Sequence, residues 1–432
     1  LSADTTLTTT NSNISFGSTI NSSNTTYRDL SMATGSGNIS VTGIIGATNK
    51  LDVLTVNNTG TLTLSAAVTT TTLTLTHTGG TTIGGTLTAT TVNLTDTTDA
   101  ADITFNGNVS VATLNTAAQA YNVVFNATTS TITNAATFSN SGAVTFGNGT
   151  GDTTTFTGGV TATAPSQVNL AGTVQTTNTT MTLGDAGTPI VLTANTILTG
   201  NTSGDIALGG TVNGAYSLTA NTTGDTTFTL AVGGSTALSS LTTNASGTTY
   251  INGGGITTSG TQTYNDAVVL GADTTLTTTD SNVTFNGTIN SDGGTARALT
   301  IDLDANDDGT TADVIFGDAT ADTLGATNAL GAIAITGDMD LNAAITSAAS
   351  ISVSGTSNLG ANVTTSGTQT YTGAVTLSAA TITLTTTDSD VTFGSTVDSD
   401  SGQTRNLTID TNGTTGTVQF GGLVGNTDGL GA

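Results

Sequence analysis

The stretch LTTTDSNVTFNGTINSDGGTARALTI, residues 276–301, decides the reading of this chain, because it occurs three times. Residues 7–32 read LTTTNSNISFGSTINSSNTTYRDLSM, and residues 384–409 read LTTTDSDVTFGSTVDSDSGQTRNLTI. Within the stretch, Val283 and Phe285 alternate with Thr284, the period of a strand that hides one side and wets the other. Gly287 then precedes a second short strand beginning at Ile289. Recurrence of one long unit is the mark of a repeat architecture, in which each unit buries its apolar face against the next.

Working outward, a second block, SGTQTYNDAVVL at 259–270, returns as SGTQTYTGAVTL at 366–377, which puts the last two long units about 107 residues apart. Long modules are therefore expected at about 1–45, 259–365 and 366–432. A shorter signature, [VI]-x-[FL]-x-[GS]-x-[VI], lies beneath them at 14–20, 103–109, 168–174, 206–212, 283–289 and 391–397. Phe105, Phe125 and Phe146 close three similar strands at steps of 20 and 21 residues. A period near 20 is too short for a propeller blade and suits one coil of a β-helix. The expectation is an all-β parallel β-helix (β-solenoid) with coils of about 20 residues, phenylalanine stacked on phenylalanine inside and threonine on threonine outside. The chain reads as a single continuous solenoid over 1–432, and as a segment of a longer protein.

Composition agrees. The 432 residues hold 55 Gly, 2 Pro, no Cys, no Trp and 35 % hydrophobic residues, and every one of the 29 acidic residues is aspartate. The straight-chain residues that favour helices are nearly missing, while β-branched threonine, valine and isoleucine abound. Low complexity and a net charge of −25 would suit a disordered tail, but such tails do not sustain apolar alternation. With only four Lys and Arg there is no electrostatic footprint for nucleic acid. No apolar run is long enough to insert in a membrane as a helix.

The blocks GTQTYNDAVVLGADTTLTTT (260–279) and NGAYSLTANTTGDTTF (213–228) resemble the repeats of large filamentous-haemagglutinin-like bacterial surface adhesins. The resemblance implies a right-handed parallel β-helix, a location outside the cell or on the bacterial surface, and a role as a structural, adhesive rod. The partners to expect are then like chains, side by side or end to end, and cell-surface or matrix glycans. A self-assembling fibre subunit is the alternative. A carbohydrate-active β-helix enzyme and an ice-binding solenoid stand behind both.

Catalysis finds little material. There is one histidine, His77, in an alternating run with threonines, and the four cations lie at least 20 residues apart in sequence, so a triad or an acid–cation groove is hard to build. No catalytic residue or cofactor requirement is assigned. Calcium is the one ion the sequence raises. Asp304, Asn306 and Asp308 open a D-x-N-x-D-G loop, although Ile315 stands where such a loop closes with an acid. A solvated acidic turn is the simpler reading of the same residues. Arg28, Arg297 and Arg405 recur at one place in the long module, near aspartates such as Asp29 and Asp302, and read either as bridges between loops or neighbouring rods or as simple surface charges.

Overall fold

A computed structural model describes residues 1–95, 97–244, 246–306, 309, 312–318 and 321–431. Among them every regular element is a strand, and every ladder between named strands whose register is defined is parallel. The fold is a β-solenoid of about 18 turns spaced by about 22 residues. The turn is slightly longer than the sequence period suggests because corners carry insertions, such as the loop between the strands Ile289–Ser291 and Leu299–Asp302. The chain divides into two compact units, Leu1–Val212 and Asn213–Ala432.

In the first unit one wall is built from Ile14–Phe16, Ile39–Val41, Leu62–Leu64, Thr81–Ile83, Asp102–Phe105, Asn122–Phe125 and Val144–Phe146, each stacked in register on the last. Like residues meet like because the ladder is parallel: Phe105 pairs with Phe125 and Phe125 with Phe146, with ring centroids 5.0 and 6.1 Å apart. These rings are buried, and the threonines between them face outward or lie half-covered. Such stacking gains about 0.5–1.5 kcal/mol per aromatic pair beyond the area it buries.

Close stacking also explains the small corner residues. A side chain at Gly107 would run into the backbone of Gly85 one turn earlier, and one at Gly85 into Ala66. Only glycine lets these corners approach.

The second unit winds through three walls in the same way. Gln262–Tyr264 and Val283–Phe285 belong to its first wall, which continues through Asp313–Phe316, Asp338–Leu341, Ser357–Leu359 and Val375–Leu377 to Val397–Ser399. The sequence copy of that opening pair, Gln369–Tyr371 and Val391–Phe393, lies instead on the third wall, stacked on Leu299–Asp302, Leu330–Thr336 and Ala344–Val353. The 107-residue module is thus not a whole number of turns. The copy that begins at 366 starts on a different wall from the one that begins at 259, and equivalent residues of these two modules face different directions.

The buried polar pair of the module travels with it. The Gln262 amide donates to the carbonyls of Ile256 and Thr277 at 3.2 and 3.0 Å, and Tyr264 donates its hydroxyl to Gln262 at 2.8 Å. Gln369 and Tyr371 repeat the arrangement against Val363 and Thr385. Burial pushes both tyrosine hydroxyls far above their ordinary range. Buried polar groups are tolerated when fully bonded, and these are placed where a corner would otherwise leave carbonyls unmet.

Candidate functional site

The recurring arginine loop is an exposed feature that all three long modules share. Its base is a buried serine, which in the second and third modules ends a strand. Ser291 is 2 % exposed; its Oγ accepts the Arg297 N–H at 2.9 Å and donates to the Ala329 carbonyl one turn on at 2.7 Å. Ser22 does the same with the Arg28 N–H and the Lys50 carbonyl, both at 2.9 Å. Ser399 repeats it with Arg405 and Gly429, again both at 2.9 Å. One hydroxyl thereby closes a loop and ties it to the next coil.

The side chains above that fastener differ. Arg297 meets Asp292 at 3.0 Å, and Arg405 grips both oxygens of Asp400 at 2.6 and 2.8 Å. The arginine beside each aspartate holds its carboxyl below the usual carboxylate range. These partners correct the sequence expectation, which pointed to Asp29 and Asp302. Both of those carboxylates are occupied by backbone: Asp29 accepts the Val53 N–H at 3.1 Å, and Asp302 accepts the Asp304 N–H at 3.3 Å. The arginine pairs lie within their own loops because a carboxylate next to the serine reaches back over a tight loop, whereas Asp29 bonds to the next coil and Asp302 to its own turn.

The first loop lacks this pair. Ser23 stands where Asp292 and Asp400 stand, and Tyr27 where Ala296 and Thr404 stand. Tyr27 is 41 % exposed, with the Lys50 ammonium 5.0 Å from the centre of its ring.

Drawing strand-end carboxylates and amides to the next coil is a general device here. Asn38 accepts the Thr61 N–H at 2.9 Å, Asn122 the Ala143 N–H at 2.7 Å, Asp338 the Thr356 N–H at 2.6 Å and Asp398 the Thr427 N–H at 3.0 Å. Asp388 takes two, from Thr414 and Thr415, and Asp390 takes the Thr417 N–H. These N–H bonds hold both carboxyls below their ordinary range. A short side chain suits the job, since it reaches a backbone donor one ladder step away; this accounts for aspartate in place of glutamate throughout. The composition carried that signal, and the sequence reading had left it unexplained.

Two of the calcium candidates are engaged by the protein itself, one within the turn and one on the preceding coil. The Asp304 carboxylate accepts the Gly309 N–H at 3.1 Å, and the Asn306 amide donates to Asp280 at 3.0 Å. Asp308 lies outside the described residues. Among the described residues no group of three or more His, Cys, Asp or Glu side chains is placed to hold a metal ion. His77 ends the strand Val68–His77 and is half-buried. Asp266 is a buried carboxylate that sequence reasoning missed. It accepts the Gly247 N–H at 2.8 Å and the Thr249 hydroxyl at 3.1 Å, and burial, reinforced by the charge of Asp225, raises its pKa despite those bonds.

Compared with known proteins, the chain matches no family model, no curated protein and no solved structure.

Proposed function

We propose that this chain is a non-enzymatic structural and adhesive segment of an extracellular bacterial filament or surface stalk. The observation that carries the reading is how the polar side chains are spent. Corner asparagines and aspartates fasten coil to coil, as Asn122 does when it donates to Asp102 at 2.8 Å and accepts from Ala143 at 2.7 Å. Two of the three recurrent arginines close their own loops. A scaffold whose carboxylates serve as fasteners is suited to bearing load and presenting loops, and it leaves few groups for acid–base work. The differing walls of the two modules also fit a scaffold that offers its loops in more than one direction. A flat ice-binding face would need one wall to stay regular from module to module.

Immunogold labelling of intact cells of the source organism, with antibodies to this chain, tests the reading. Label on unbroken cells or on shed filaments is expected. Label that appears only after lysis would sink it.

A second reading, a fibre subunit that joins end to end, draws on the coil containing Val418–Phe420. Phe420 stacks on buried Phe393 at 5.0 Å, yet is itself 43 % exposed, and Leu423 and Val424 beside it are exposed too. A second copy stacked on this apolar rank would cover it. Sedimentation of the 432-residue chain separates the two: concentration-dependent growth that Phe420→Asp abolishes supports the fibre.

A further inference from the structure

We propose that the corner formed by Tyr27, Arg28 and Lys50, with the hydroxyl-lined groove that leads away from Lys50, binds a carboxylated oligosaccharide. The proposal rests on the adhesive reading above only in naming what would be adhered to; the site is argued from its own residues.

Charge comes first. The chain has 4 cations against 29 aspartates, and two of the four, Arg28 and Lys50, meet at this one corner. The serine fastener makes them meet, because Ser22 bonds the Arg28 N–H and the Lys50 carbonyl together. Among the described residues neither side chain is in a salt bridge, in contrast to Arg297 and Arg405. The Arg28 Nε, like that of Arg297, is buried without an acceptor; what sets the first loop apart is Ser23, which stands where Asp292 supplies the carboxylate that neutralises Arg297. Nearby Asp4 and Asp29 are turned to backbone, to the N–H groups of Asp29 and Val53. Asp52, whose N–H bonds the Arg28 carbonyl at 3.0 Å, is a further carboxylate beside the corner.

Shape comes second, and independently. Lys50 also heads a surface groove of about 280 Å³ that runs over Thr69, Thr88, Ser110 and Thr133. Thr69 pairs in register with Thr88, and Thr88 with Ser110, so their hydroxyls form a rank that repeats at the coil spacing, roughly 4.8 Å. A rank of hydroxyls both donates and accepts, which matches the hydroxyls of a sugar chain better than the side chains of a peptide. A planar guanidinium and an ammonium beside an exposed tyrosine ring add recognition of a carboxylate and of the apolar face of a sugar ring. The groove is shallow and lined by Ala89, Val111 and Ala112 as well as by hydroxyls, so affinity should be modest and should weaken with salt.

The test is titration calorimetry of the full chain with an oligogalacturonate, a neutral maltooligosaccharide of equal length and an oligo-aspartate peptide, each at low and at physiological salt. Saturable binding of the oligogalacturonate is expected, weakened by salt and reduced about tenfold or more in Lys50→Gln and in Arg28→Gln. Tyr27→Ala should weaken it, and Arg297→Gln should leave it unchanged. Thermal melts of each variant, unaltered from the parent, show that the fold is kept. No saturable binding, equal binding of the neutral sugar, tighter binding of the oligo-aspartate, or a Lys50→Gln variant that binds as the parent does would each overturn the proposal. None of these outcomes depends on where the protein resides, so failure here and failure of the surface reading remain distinguishable.

Discussion

The loops at 22–28 and 291–297 are built on the same fastener and end in opposite electrostatic states. In both, a buried serine holds the arginine N–H and a carbonyl of the next coil. Above it, Arg297 is neutralised by Asp292, while Arg28 has Ser23 in that place and Lys50 and Tyr27 at its side. The difference teaches that the repeat conserves backbone geometry and leaves the exposed chemistry to single substitutions. A position that carries no packing can change from aspartate to serine at little cost to the fold, and that change decides whether a loop is closed on itself or open to a ligand.

Removing what the loops share should give the largest effect. Ser22→Val or Ser291→Val leaves a buried N–H and a carbonyl without their partner, a loss of about 1–3 kcal/mol for each unsatisfied group. Amide exchange at Arg28 and Arg297 and thermal melts should report comparable losses in the two variants. A loss at only one of them would break the equivalence of the loops.

Converting one loop into the other is next. Ser23→Asp should give Arg28 the partner that Arg297 has, and lower oligogalacturonate affinity about tenfold with no change in melting temperature. If affinity survives, the open guanidinium is not what sets the first loop apart.

Acid should separate the loops more weakly. The carboxyls of Asp292 and Asp400 are held low by their arginines, so what they contribute is present above the ordinary carboxylate range and fades as pH falls through their lowered pKa values. Carboxyl titration followed by NMR, with amide exchange of each loop, should show 291–297 and 399–405 loosening in acid while 22–28, which has no such pair, keeps its behaviour. Loosening of all three together would assign the effect to the fastening aspartates elsewhere, such as Asp388 and Asp390.

The smallest effect is expected from Arg297→Gln and Arg405→Gln. Exposed ion pairs add little at moderate salt, so melting temperatures should stay at the parent value. A clear drop would mean that the ion pair, rather than the serine, holds the loop.

Much of the interior was legible in the sequence. Val283 and Phe285 face inward around Thr284, as alternation requires, and Phe105, Phe125 and Phe146 stack because their spacing is one turn. The arginine partners were not legible. Asp29 and Asp302 are adjacent or near in the repeat, but each accepts a backbone N–H, Asp29 from Val53 on the next coil and Asp302 from Asp304 two residues on, and nothing in the sequence separates these carboxylates from those that pair with arginine. The buried serine was visible as a recurrent residue, yet a recurrent serine before a glycine-rich loop reads equally well as a turn.

The sequence by itself determined that the chain coils, which side chains enter the core, and that a long module recurs. These follow from alternation and from like residues repeated at a near-constant step, both of which are local. Only the tertiary structure decided which coils become neighbours: that Lys50 sits beside Tyr27, and that the second copy of QTY…VTF lies on a different wall from the first. The reason is cumulative. Ladder register depends on the summed lengths of every strand and corner in a turn, so a few inserted residues in a loop change what stacks on what without altering any local pattern.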